Sequence, residues 1–229
     1  MLKGVDRSVP RTLSPKDIFT IPQLTQLIHL TSSHKLGLYL RPLFLLAFFG
    51  FLRISNLLPK SAYSYDPHML LLRQDVQFNP SGGLTLTLKW SKARQSRSQQ
   101  ARVSLPVLPG HPLCPVNALH RLLITTSPPP FAPLFSALSH GAFLPLTQVQ
   151  ARSALAELCA QAGFPYERLG FHAFRRSGVS FLYSQDIPLS HLKNHGTWSS
   201  DAIYHYLSND TASSFIPKAF HRLLLPSNH

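Results

Sequence analysis

Acidic residues are scarce in this chain, which has only 9 Asp and Glu among 229 residues. Cysteine is scarcer still, because Cys114 and Cys159 are the only two. Two cysteines cannot form a disulfide framework, and these two lack the spacing of metal ligands. The twelve histidines are scattered and have no Cys or acidic ligand nearby, which argues against a zinc site. These shortages favour a reduced, intracellular protein whose cysteines are small core residues.

Long hydrophobic runs are absent as well. The most apolar run covers residues 42–52, whereas a membrane span needs about 20 residues. This run predicts a buried helix. The first 21 residues are polar and broken by prolines, which is not the pattern of a signal peptide. A chain of 229 residues with 44% hydrophobic residues is long enough to bury a real core in one large domain or two small ones.

Positive charge is what the chain has in excess, with 22 Lys and Arg and a formal net charge of +13. The two candidate partners for such an excess are nucleic acid and an anionic membrane. A membrane-surface protein would concentrate its cations along one amphipathic helix, but here they are dispersed among separate elements. Nucleic acid is therefore the favoured partner. The dispersed cations are Arg53, Lys89, Lys92, Arg94, Arg97, Arg102, Arg175 and Arg176.

Local patterns predict a mainly α fold with one small three-stranded antiparallel sheet (α+β). A helix is predicted to begin at Ile21 with Pro22 in its first turn, and a buried helix covers residues 39–58. The predicted strands are residues 69–78, 84–90 and 101–108, with a turn at 79–83 and a basic loop at 91–100. Further helices are predicted at residues 114–125, 146–162, 172–185, 188–194, 199–207 and 216–224, with a surface loop at 127–133.

These elements predict a folded domain over residues 21–207. Residues 1–20 are proline-spaced and basic, which predicts an extended lead-in or linker. Residues 208–229 are predicted to form a separate tail.

The most informative motif is His172-x-x-Arg175 with Tyr206 downstream. Residues three apart on a helix share one face, so an imidazole and a guanidinium fork could hold one phosphate while a tyrosine hydroxyl attacks it. This combination indicates DNA strand exchange through a phosphotyrosine bond. His-x-x-Arg alone is a common pattern, so the argument needs further motifs.

Those motifs are present in the phrases GFLRISNLLP, LKWSKARQ, CPVNAL and HGTWSSDAIYHYL. With them, nearly the whole chain resembles the catalytic domain of the tyrosine recombinase (phage integrase) family. The phrases look closest to its eukaryotic mobile-element branch, which includes DIRS-type, Ngaro and Crypton recombinases. The resemblance implies a DNA breaking-rejoining catalytic core, located in the nucleus.

The resemblance implies that Arg53, Arg175 and His172 surround the reacting phosphate. Arginine forks donate paired hydrogen bonds to phosphate oxygens, and His172 could hold the phosphate or accept the tyrosine proton. Tyr206 is the implied nucleophile. Tyr204 competes with it, but only one of two tyrosines two apart on a helix can face the phosphate.

Two further catalytic positions keep alternatives open. Lys92 matches the hairpin lysine of the family, which protonates the leaving 5′-oxygen, and Lys89 is the alternative. Trp198 matches a phosphate hydrogen-bond donor, with His195 as the alternative. The remaining cations are predicted to contact DNA, and Arg176 to face backbone phosphates or solvent. These DNA-binding candidates are Lys89, Arg94, Arg97, Arg102 and Arg176.

Family members act on double-stranded DNA as homo-tetramers, without a metal, another cofactor or ATP, and the same is implied for this chain. No membrane and no small-molecule substrate are expected. Residues 208–229 could be exchanged between protomers or pack on their own domain. Two departures are that Asn56 replaces an acid usual in the family, and that an N-terminal DNA-clamping domain is not expected in this sequence. They leave open the alternative of a catalytically inactive DNA-binding remnant, while a relaxing topoisomerase fits the phrases less well.

Overall fold

The computed structural model describes residues 17–80, 82–89, 100–198 and Ile203. Within these ranges the fold is mainly helical with a small antiparallel sheet, as predicted. The α-helices are α1 Ile21–Leu30, α2 Gly37–Phe49, α3 Ile54–Leu57, α4 Pro115–Thr126, α5 Gln148–Ala162, α6 His172–Ser184 and α7 Leu189–His195. The strands are β1 Val76–Phe78, β2 Leu84–Leu88, β3 Ala101–Leu105, β4 Ser136–Ser139 and β5 Ala142–Pro145.

Helix α2 forms the centre of the core and packs against α4 and α6. Most of its residues are buried, and its phenylalanines meet those of α6. The rings of Phe44 and Phe174 stack with centroids 4.7 Å apart. Phe19 stacks on the other side of Phe174, also at 4.7 Å. The apolar run that the sequence assigned to a buried helix therefore lies at the centre of the hydrophobic core.

The single helix predicted over residues 39–58 is wrong, because the chain breaks in its middle. Helix α2 ends at Phe49, and α3 begins only at Ile54. Between them Phe51 adopts the left-handed conformation with φ of 50° while its side chain stays fully buried. Arg53 therefore does not end the apolar helix. It precedes α3 as its N-cap residue, and its amide donates to Oδ1 of Asn56 at 3.2 Å.

The three-stranded sheet has the order β1-β2-β3 and is antiparallel throughout. Its strands are shorter than the sequence predicted. Only Val76–Phe78 of the predicted first strand forms β1, because a 3₁₀ turn ends at Met69 and a second one covers Arg73–Asp75. The carboxylate of Asp75 explains the second turn, because its Oδ2 accepts a hydrogen bond from the amide of Leu72 at 2.8 Å. The predicted turn before β2 is confirmed by a bond from the Asn79 amide to the Gly83 carbonyl.

A second, two-stranded sheet formed by β4 and β5 was not predicted. Its turn contains His140 and Gly141, both with positive φ, which is the geometry that a tight hairpin turn favours. The helices on either side of this hairpin follow the prediction. Helix α5 has a capping box between Thr147 and Gln150, and it ends at Gly163 with φ of 72°.

Residues 17–20, which the sequence assigned to a lead-in, pack against α6. The amide of Phe19 donates to Oγ of Ser177 at 2.7 Å, and Asp17 forms an ion pair with Arg168 at 2.6 Å. The predicted helices at 199–207 and 216–224 and the tail at 208–229 lie outside the described residues, except for Ile203. In the described part of the chain, no helix has the length and apolar character to cross a bilayer.

Candidate active site

A basic cleft of about 640 Å³ opens between the Arg53 turn, the start of α5 and the start of α6. Arg53 and His172 both line it, although they are far apart in sequence. Three further arginines contribute to its walls, together with one acid, Glu167. These arginines are Arg152, Arg168 and Arg176. The cleft is therefore suited to an anion, and guanidinium groups in it can donate paired hydrogen bonds to phosphate oxygens.

Helix α6 places its two motif residues in different surroundings. His172 is exposed at the first turn and opens on the cleft, whereas Arg175 is only 2% exposed. The guanidinium of Arg175 donates to the carbonyls of Phe51 and Gly196, the latter at 3.1 Å. It also lies 3.9 Å from the centre of the Trp198 ring. Arg175 does not line the cleft. It connects the turn that carries Arg53 with the segment that leads towards Tyr206.

His195 makes a second connection of the same kind. Its Nε2 lies 2.7 Å from the carbonyl oxygen of Phe49, and its ring meets that of Phe51 edge-on, with centroids 4.9 Å apart. Burial lowers the pKa of His195, the nearby charge of Arg175 lowers it further, and the bond to the Phe49 carbonyl acts in the opposite direction. A neutral imidazole that donates from Nε2 fits these surroundings.

Gly178 allows α2 and α6 to approach closely enough for these bonds. A Cβ at this position would lie 2.1 Å from the carbonyl oxygen of Phe48 and 2.9 Å from a ring carbon of Phe51. No other residue type fits without a shift of the backbone. The sequence signal for this contact was a glycine in the middle of a predicted helix, where it is otherwise destabilising, and it was missed.

Solved structures that this fold matches include recombinases and integrases in complex with DNA. XerH site-specific recombinase in its pre-cleavage complex with difH matches with a TM-score of 0.60 and 17% identity, covering 82% of this chain and 49% of that one. Its post-cleavage complex gives a TM-score of 0.58, 17% identity and coverages of 81% and 47%. The integrase of transposon Tn1549 in complex with circular intermediate DNA matches with a TM-score of 0.60 and 15% identity, covering 93% of this chain and 66% of that one.

The fold resembles that of tyrosine recombinase catalytic domains. The chain spans about half the length of the XerH chain and about two thirds of the Tn1549 integrase chain. No protein-family model matches it, and no curated protein does. With identities of 14–17%, the likeness establishes the fold, and the assignment to the eukaryotic mobile-element branch stays a prediction.

The other predicted site residues that the structure describes differ in burial and in the groups they contact. Trp198 is 8% exposed and lies beside the Arg175 guanidinium. Arg176 is also only 8% exposed. Of the two surroundings predicted for it, DNA backbone phosphates or solvent, it therefore does not have the second. It donates to the carbonyl of Asp17 at 2.8 Å while contributing to the cleft wall. The Nζ of Lys89 forms an ion pair with Oδ2 of Asp75 at 2.9 Å. Roles in DNA contact stay predictions for Lys89, Arg176 and the exposed Arg102 of β3.

Several predicted site residues lie outside the described residues, and these are Lys92, Arg94, Arg97, Tyr204 and Tyr206. Ile203, which is described and lies three residues before Tyr206 in the sequence, is fully buried. Within the described ranges, no three His, Cys, Asp or Glu side chains are placed to share a metal ion.

Proposed function

We propose that this chain is the catalytic core of an enzyme that breaks and rejoins DNA strands through a 3′-phosphotyrosine intermediate. The observation that carries the proposal is the basic cleft in which Arg53 and His172 converge. Arg175 supports it from behind by bonding the Phe51 carbonyl, two residues before Arg53. The DNA-bound recombinases that share the fold support the same chemistry.

In the proposed reaction, Arg53 and His172 hold the phosphate of one DNA strand while the Tyr206 oxygen attacks phosphorus. The phenol has an ordinary pKa near 10, so it must lose its proton as it attacks, and in this proposal His172 accepts that proton. The bond from phosphorus to the 5′-oxygen breaks, and that oxygen leaves as a hydroxyl after taking a proton from a lysine. The 5′-hydroxyl of a second strand then reverses the step. The covalent intermediate conserves the bond energy.

Between the two candidate lysines, the surroundings of Lys89 favour Lys92 as the proton donor. The ammonium of Lys89 forms its ion pair with Asp75, whose side chain is only 6% exposed. The ion pair directs the Lys89 ammonium at a carboxylate of its own chain rather than at a bound DNA strand. We therefore assign Lys89 to the support of the hairpin and Lys92 to proton transfer.

The proposed partner is double-stranded DNA, on which the chain acts as a homo-tetramer. The proposed origin is a eukaryotic mobile element, and the proposed location is the nucleus. Residues 208–229 either exchange between protomers or pack on their own domain, as the sequence left open.

The direct test is a suicide substrate, a duplex from the natural terminal repeat of the element that is nicked beside the reacting phosphate. The released fragment diffuses away, so a covalent protein–DNA adduct accumulates and can be resolved by denaturing electrophoresis. We expect Tyr206→Phe to abolish the adduct and the matched control Tyr204→Phe to retain it. The reverse result would identify Tyr204 as the nucleophile.

A DNA-binding remnant without catalysis is the second candidate function. The burial of Arg175 against main-chain carbonyls favours it, because this arginine does not line the cleft. Asn56 in place of an acid favours it as well. Such a protein would bind duplex DNA with a steep salt dependence and form no adduct on any nicked terminal-repeat substrate.

A further inference from the structure

A second basic pocket, of about 560 Å³, lies at the amino-terminal end of α2. Pockets that bind small ligands have volumes of about 300–1,000 Å³. One wall is the start of α2 with the turn before it, and the other is the loop at residues 110–112 with the start of α4. Helix α2 has 13 residues, which gives it a length of about 20 Å. The pocket and the Arg53 cleft therefore lie at opposite ends of α2, and they share no lining residue.

All the Lys, Arg, Asp and Glu side chains that line this pocket are cations. Lys35, Arg41 and Arg121 contribute to it, and no acidic residue does. The ion pairs found within the described ranges do not include any of these three. Glu157 lies close by, where it pairs with His34 at 3.3 Å, and Lys35 helps to lower its pKa after the larger effect of His34. One exposed carboxylate that is already paired does not offset three cations, so the pocket is electropositive.

The Arg41 side chain lines the pocket and is held there by a hydrogen bond. It is only partly exposed, and its Nη2 donates to the Pro112 carbonyl at 2.8 Å. Burial lowers the pKa of Arg41, and the charge of Arg121 lowers it further. Two like charges are thus held close to each other beside a partly desolvated wall. An anion bound between them would relieve this repulsion, and the exposed Arg121 and Lys35 also line the pocket.

The helix ends add to the same potential. Both α2 and α4 begin at this pocket, with Gly37 and Cys114 among its lining residues. The amino-terminal end of a helix carries a partial positive charge. Ser32 and Asn117 supply neutral polar groups at the rim. The three cations provide the charge of the site, and the two helix ends reinforce it.

We infer that this pocket binds a phosphate group, with Arg41 as the fixed donor and with Lys35 and Arg121 closing on the group from the rim. Two sources can supply the same chemistry, the backbone of a bound nucleic acid or a free polyphosphate. The inference does not depend on the proposed function, because no residue of the Arg53 cleft takes part in it.

The first test uses inorganic triphosphate as the probe in a titration followed by NMR on ¹⁵N-labelled full chain. We expect the amides of Gly37, Gly110 and Ala118 to shift in a saturable way, which separates this pocket from the cleft at the other end of α2. In the variant Lys35→Gln/Arg121→Gln, the titration midpoint should rise at least tenfold. Both replaced side chains are exposed, so the variant should fold.

The matched control is Lys60→Gln/Arg73→Gln, which removes the same charge from residues that line neither site. Its titration midpoint should stay within about twofold of the wild type. If both variants weaken triphosphate binding equally, or if the pocket amides do not shift in the wild type, the inference is wrong.

The second test distinguishes the two sources by the salt dependence of duplex DNA binding. Each phosphate contact that is lost reduces the slope of log K against log[salt] by about 0.9. If the pocket binds a backbone phosphate of DNA, the magnitude of the slope for Lys35→Gln/Arg121→Gln should be smaller than that of the control variant by about 0.9. Equal slopes, together with the loss of triphosphate binding, would identify a free polyphosphate as the ligand.

Discussion

The guanidinium of Arg175 donates a hydrogen bond to the main-chain carbonyl of Phe51, two residues before Arg53. The same guanidinium bonds the carbonyl of Gly196, two residues before Trp198. One buried side chain thus joins the two segments that precede candidate phosphate ligands. A planar guanidinium can serve both carbonyls at once, which a lysine ammonium cannot do in the same geometry.

The first prediction concerns this connection. Arg175→Lys keeps the charge but should lose one of the two carbonyl bonds, so the Arg53 turn is held less well. We expect the rate of adduct formation on the suicide substrate to fall about 100-fold, because a displacement of about 1 Å in a group that positions the substrate can cost that much. Arg73→Lys, at a residue outside the cleft, is the control and should keep the wild-type rate. An Arg175→Lys variant with the wild-type rate would show that the connection is not needed.

The second prediction concerns the contact between α2 and α6. Gly178→Ala would place a methyl group 2.1 Å from the Phe48 carbonyl oxygen, so the two helices must separate. Such overpacking costs about 1–3 kcal/mol of unfolding free energy, measurable by urea denaturation. Gly170→Ala is the matched control, because nothing lies within 4 Å of its added carbon. Equal losses in the two variants would contradict the close approach.

The third prediction concerns pH. Burial lowers the pKa of His195 in the folded protein, while the unfolded chain has an ordinary value near 6.5. Below pH 6.5 the unfolded state therefore binds more protons, and stability must fall as the pH falls towards the lowered folded pKa. The slope from one such group cannot exceed about 1.4 kcal/mol per pH unit.

His195→Asn removes this group, so the stability advantage of the wild type over the variant should shrink between pH 7 and pH 5. Urea denaturation across this range measures the difference. Because the comparison is between two chains with the same carboxylates and the same other histidines, their shared pH dependence cancels. An advantage that stays constant or grows on acidification would show that His195 is not held in its neutral form.

The fourth prediction concerns the thiols. Cys114 and Cys159 are 2% and 0% exposed, and burial, followed by the charge of Glu167, raises the pKa of Cys159 to about 11. A thiol reacts as its thiolate, so Ellman's reagent at pH 8 should label neither cysteine in the native protein within minutes. Both should react in denaturant. Rapid labelling of the native protein would show that the core opens at these positions.

The helix termini that could be predicted are those set by neighbouring residues. Helix α1 starts where Thr20 and Gln23 form a capping box, and α5 ends where Gly163 takes a left-handed conformation. The break after α2 could not be predicted in this way. The apolar pattern continues across it, and the bonds to the Phe49 and Phe51 carbonyls come from residues far along the chain. Strands β4 and β5 were too short for their periodicity to be recognised.

The candidate site was predictable where a side chain is exposed and less so where it is buried. Arg53 and His172 could be proposed from motifs, and the structure brings them to one cleft. The helical spacing of His172 and Arg175 suggested a shared face, but it carries no information on the carbonyls that hold Arg175 in the interior. The ion pair between Lys89 and Asp75 depends likewise on how the end of β2 lies against the 3₁₀ turn Arg73–Asp75.

The left-handed backbone of Phe51 limits which amino acids can replace this residue during evolution. Only glycine adopts that conformation readily, yet a glycine there would leave the place of the aromatic ring empty. Neither amino acid satisfies both demands, so inherited substitutions at this point should be tolerated only when the surrounding aromatic and arginine neighbours change in the same lineage.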